Sequence, residues 1–232
     1  MMLRNLALTV GLLAATAATA SADTVYPVYN NYVTDPADLA TNVTRGVGTG
    51  LTGSGAYTDF GVEWTITQNS TTGVWTYNYT FADTGSGNDL KNISHLILEL
   101  SAGATLADFT GLAGTVGTYD PADNNQQGQP NPGLPGIIYG TKVDGGSPSL
   151  TLSFTTNRAP VWGNFYVKDG NNTNYAYNTG FTNLDSTNKQ DFIARPDGAT
   201  PVVPEPSSLA VAGVGGIGLM ILAARRRKAR QG

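Results

Sequence analysis

The chemistry open to this 232-residue chain is narrow, because it holds a single histidine, His95, and no cysteine. Thiol catalysis, disulfide stapling and cysteine-ligated zinc are excluded. A Ser-His-Asp arrangement would have to use His95. The Gly-x-Ser-x-Gly turn that lifts a nucleophilic serine above a sheet is missing, since Gly53-Ser54-Gly55 and Gly85-Ser86-Gly87 have the wrong spacing. His95 lies inside an alternating apolar stretch and reads as a strand residue, its ring at the sheet surface or satisfied by backbone. Glycoside hydrolysis needs two carboxyl groups about 5 to 9 Å apart. Glu63 and Glu99 are the glutamates of predicted strands, and each reads as an outward, solvated residue. No residue is assigned a catalytic role.

Binding chemistry has two candidates. Asp83 and Asp89 in the stretch 83–89, and Asp169 and Asn171 in 169–174, place side-chain oxygens as hard cations prefer, which makes calcium the one cofactor that these residue types suggest. Neither stretch has the glutamate that completes an EF-hand loop, and Asp, Asn and Gly serve any tight turn equally well. Trp162 and Tyr166 fall on one face of a predicted strand, and Tyr175 and Tyr177 occur in a polar loop. Together they have the make-up of a stacking platform for sugars; alternatively, Trp162 faces a second sheet.

Positioning these groups falls to β-strands. Phe60, Val62, Trp64 and Ile66 alternate with polar residues, as do Trp75, Tyr77, Tyr79 and Phe81, so the two stretches predict a hairpin with a shared aromatic face. The stretch 93–100 is apolar on both faces and predicts a central strand. Further short strands are expected at 137–140, 150–156 and 161–167, at intervals near ten residues. Residues 23–55 read as one edge strand followed by a glycine-rich loop, and 171–180 as a turn. The stretch 119–136, with Pro121, Pro130, Pro132 and Pro135, reads as a long surface loop. The expected fold is all-β, a single antiparallel β-sandwich of jelly-roll type over residues 23–194, its core including Val62, Trp64, Ile66, Trp75, Tyr77, Tyr79, Leu98, Leu152 and Phe154.

Both ends are addresses. Arg4, the apolar run 6–18 and the small residues Ala20 and Ala22 before Asp23 make residues 1–22 a cleavable signal helix, which implies the Sec translocon and signal peptidase as partners. All seventeen acidic residues lie between Asp23 and Glu205, whereas six of the thirteen basic ones are Arg4 and the cations at the far end. The exported part therefore holds seven basic residues against seventeen acidic, a net charge of about −10 that argues against nucleic acid as a partner. Residues 195–202 are rich in proline and small side chains and are expected to be a linker.

Beyond the linker come Pro204, Glu205 and Pro206, the uncharged run 209–224, and the basic group Arg225, Arg226, Arg227, Lys228 and Arg230. Four glycines in that run would each cost a soluble helix about 1 kcal/mol relative to Ala, but in lipid only a helix satisfies every backbone group. Counting Ser207 and Ser208, residues 207–224 are expected to span the membrane, with the cationic end in the cytoplasm. The tripeptide, span and basic stop in residues 203–232 resemble the PEP-CTERM sorting signal of Gram-negative envelope proteins. That resemblance implies processing by the membrane enzyme exosortase and passage through the inner membrane. It also implies a mature form in the envelope or outside the cell, associated with exopolysaccharide or biofilm matrix. A calcium-dependent carbohydrate-binding module is the alternative that the aromatic and acidic residues leave open.

Overall fold

A computed structural model describes residues 32–39, 42–85, 90–121 and 131–197. The expected signal helix, membrane span and Pro-Glu-Pro element lie outside them. The described chain is built of strands and short 3-10 turns: β1 (Val43–Val47), β2 (Gly50–Ser54), β3 (Phe60–Gln68), β4 (Trp75–Asp83), β5 (Ile93–Glu99), β6 (Thr115–Tyr119), β7 (Ile138–Asp144), β8 (Ser149–Thr156), β9 (Pro160–Gly163), β10 (Phe165–Asp169), β11 (Tyr175–Asn178) and β12 (Ile193–Pro196). The all-β expectation holds.

The architecture differs from two separate antiparallel sheets. Ten strands form one sheet in the order β6-β7-β5-β10-β11-β2-β1-β3-β4-β8, and β12 pairs with β9 in a second sheet of two. The pair β1 and β2 runs parallel, and the other strand pairs are antiparallel. The large sheet is rolled. β4 and β10 stand five steps apart in it, about 24 Å along a flat sheet, yet the rings of Phe81 and Phe165 are 5.3 Å apart. Thr110, on the approach to β6 at one edge, bridges Thr155 of β8 at the other, so the roll nearly closes on itself. The core fills the space between its two halves.

Alternation accounts for that core. β3 turns Phe60, Val62, Trp64 and Ile66 inward, and β4 turns Tyr77, Tyr79 and Phe81. Tyr77 stacks on Phe154 of β8 at 5.1 Å, and Tyr79 on Phe81 at 5.8 Å. Tyr77 and Tyr79 donate their buried hydroxyls to the carbonyls of Arg158 and Ala194. Trp64 does the same toward Asp38 at 2.8 Å, which removes the cost of burying an indole N–H. Trp75, expected in the core, is only half-buried at the end of β4, where it packs on the core from outside.

Three stretches behave differently from their composition. The glycine-rich segment 43–54 forms β1 and β2. A side chain at Gly53 would collide with the carbonyl of Tyr57, so glycine is what allows the chain to pass there. The expected loop 119–136 returns at Asn131 to cover the outer face of β5, β10 and β11. Leu134 joins Ile97, Tyr119, Ile138, Tyr166 and Phe181 there in a second apolar cluster. Finally, the expected linker does not start at Arg195, because Arg195 and Pro196 belong to β12.

Entry and exit of the described chain meet at β9. Tyr32 bridges Val161, and the Val33 N–H donates to the Pro160 carbonyl at 2.9 Å. On the exit side, β12 pairs Arg195 with Val161, and the Asp197 N–H donates to the Ala159 carbonyl at 2.9 Å. Arg158 reaches the Asp197 carbonyl at 3.2 Å and Asp108 at 3.0 Å, which brings the 3-10 turn Leu106–Asp108 to the same end of the roll.

Candidate functional site

At that end a buried polar network locks β12 to the roll. Arg195, 1 % exposed, sends Nη2 to Glu99 Oε1 at 3.1 Å and Nη1 to Ser101 Oγ at 2.7 Å and the Pro196 carbonyl at 3.0 Å. The second Glu99 oxygen accepts the Asn164 N–H at 2.7 Å. Asn164 in turn accepts from Asn178 Nδ2 at 2.8 Å. Asn164 is also where the single strand expected over 161–167 divides, sending β9 into the small sheet and β10 into the large one. Burial pushes the Glu99 carboxyl above its ordinary range, while Arg195 and the Asn164 N–H pull the other way. Glu99 is therefore not the solvated residue expected of it, and with both of its oxygens engaged the group acts as a clamp.

Glu63 stays exposed on β3, so the two glutamates do not form a carboxylate pair. His95 is buried, and its ring Nε2–H donates to the Asn131 side-chain oxygen at 2.9 Å. Burial lowers its pKa to about 4, helped by Lys142 and Lys168 and opposed by the bond to Asn131. The ring is satisfied by a side chain of the returning loop, not at the sheet surface or by backbone.

The aromatic platform is also corrected. Trp162 and Tyr166 are buried, Trp162 in the main core and Tyr166 under the returning loop, where its hydroxyl donates to the Pro132 carbonyl at 2.6 Å. Tyr175 and Tyr177 are half-buried and stack at 6.4 Å with 10° between their planes. Gly133 lies directly over the Tyr175 ring, so the loop occupies that face.

The two acidic stretches come together at the opposite end of the roll. Asp83 closes β4 and accepts the N–H groups of Gly85 and Lys91 at 3.1 and 2.7 Å. Asp169 closes β10 and accepts from the Thr173 and Asn174 N–H groups, both at 3.3 Å, and from Asn174 Nδ2 at 2.5 Å. A shallow cleft of about 300 Å³, lined by Leu90, Lys91, Asn92, Asp169, Gly170 and Asn171, lies between these loops. Both carboxylates are buried and spend their oxygens on turn N–H groups. Asp89 lies outside the described residues, and among those described no three acidic or histidine side chains gather.

The remaining candidates, Ala20, Ala22, Asp23, Pro204, Glu205, Pro206 and the basic group 225–230, lie outside the described residues. Among the described residues no helix is long and apolar enough to cross a membrane. No curated protein and no solved structure matches the chain. Residues 202–228, which hold the tripeptide, the apolar run and most of the basic group, match the PEP-CTERM protein-sorting motif, and the chain therefore carries a PEP-CTERM sorting motif beyond its β-domain.

Proposed function

We propose that the chain is an exported, non-catalytic protein of the Gram-negative cell envelope or extracellular matrix, delivered through its C-terminal motif by exosortase. The match over residues 202–228 carries the reading. The physical chemistry of the tail supports it. Proline on both sides of Glu205 keeps that residue out of helix and accessible, and the cations 225–230 hold the apolar run at a fixed depth with the C-terminus in the cytoplasm. A non-catalytic role is supported by the engagement of His95 with Asn131 and of Glu99 with Arg195. A hydrated surface with a small share of charged residues and high Ser, Thr, Asn and Gly content suits a place in an exopolysaccharide matrix.

The test is replacement of Glu205 by Ala in cells that contain the processing enzyme. Membrane insertion should persist, because the apolar run is untouched, while the uncleaved precursor accumulates in the inner membrane. Intact mass and cell fractionation report both. Normal processing of the variant would mean that the tripeptide is not what the enzyme reads, and a tail kept on the surface-exposed form would make the chain an ordinary single-span membrane protein.

A further inference from the structure

The place where the chain leaves the domain, and the short distance from there to the sorting tripeptide, restrict how the domain can stand over a membrane. Asp197 is fixed to the end of the roll by its N–H bond to Ala159 and by Arg158 on its carbonyl. Glu205 is eight residues further on. Even fully extended, eight residues span at most about 29 Å. A domain formed by residues 32–197 is about 40 Å across. A tether shorter than the domain is wide cannot pass around it. The end of the roll that carries Asp197 therefore cannot point away from the membrane when Glu205 sits at the outer interface. The cleft beside Leu90 belongs to the far end, because β5 runs from Ile93, paired with Asp169, to Glu99 at the Arg195 clamp.

We propose that this end of the roll, with Tyr32, Leu106, Arg158 and Asp197 on it, is the face that the membrane-embedded processing enzyme meets, and that the length of the stretch after Asp197 sets the approach. This rests on the sorting reading above. The face is suited to a partner. Tyr32 is 52 % exposed and Leu106 37 %, two of the large apolar side chains that the domain leaves in solvent. They flank an anchored ion pair, Arg158 with Asp108. The described chain also enters at this end, where Tyr32 bridges Val161.

The experiment uses the full chain in cells with the processing enzyme. Deleting residues 198–201 leaves the matched stretch 202–228 intact but brings Glu205 within four residues of Asp197, about 14 Å. The processed fraction should fall at least tenfold. Replacing the same four residues by Gly and Ser, which keeps the length, should leave processing at the wild-type level. A photoreactive phenylalanine analogue at Tyr32 should cross-link to the enzyme, and the same analogue at Leu90 should not. Wild-type processing of the deletion variant, loss of processing in the Gly/Ser variant, or equal cross-linking from Leu90 would each overturn the proposal. Glu205→Ala separates the two levels. If it is processed, the sorting reading falls and takes this one with it; if it is blocked while the deletion variant matures normally, only the orientation is wrong.

Discussion

His95 lies under the loop that returns at Asn131, with Asp144 opposite it on β7, Lys168 opposite it on β10, and Lys142 on the same face. Its pKa in the folded domain, about 4, is below the ordinary 6.5 because burial and the two ammonium groups disfavour a second proton. As pH falls through 6.5 the unfolded chain takes up that proton and the folded one does not, so stability decreases until about pH 4 and then levels off. The full loss is about 3 kcal/mol. Urea unfolding of wild type and of His95→Gln between pH 7 and pH 4 should show it, since only the wild type titrates at this position. Two curves that run parallel across that window would mean that the ring is not held neutral by the fold.

At the scale of elements, β12 depends on a side-chain pair as much as on its ladder. Four residues, Ile193–Pro196, cannot hold an edge by backbone bonds alone, and Arg195 in their middle is buried only because Glu99 and Ser101 receive it. Arg195→Ala should cost about 3 to 5 kcal/mol, because it strands a buried carboxylate. Removing both charges, in Glu99→Leu with Arg195→Met, should recover much of that loss. Chemical denaturation of the three variants decides between a clamp and a passive pair. β12 was also hard to read from sequence for this reason. Ile-Ala-Arg-Pro has no alternation, and the carboxylate that receives Arg195 stands 96 residues earlier. β1 and β2 were hidden by glycines whose reason is a close approach of another segment, and the loop after Tyr119 by a composition that says nothing of the tyrosine face beneath it. β3, β4, β5 and β8 were legible because a half-buried strand writes its face into every second residue. The sorting motif was legible because it is linear, with its elements adjacent in sequence. The Arg195 clamp, assembled from β5, β12 and the Asn164 junction, had no such signal.

The molecule as a whole is one sheet rolled until its edges nearly meet, with the two-stranded sheet and both ends of the described chain gathered at one end. That gathering bears on mechanics. Tension applied between the two termini enters at Tyr32 and leaves at Asp197, and both points are tied to the same short strand, β9. The load path therefore crosses a handful of hydrogen bonds and the Arg195 clamp, while the ten-stranded roll lies outside it. Pulled in an optical trap, the domain should yield in two events: an early, low-force release of β12 and the Tyr32 segment, which peel from β9 bond by bond, and a later rupture of the roll. A domain loaded between its two ends would lengthen through the first event and keep its core, the behaviour of a strap with a slip knot rather than of a rigid post.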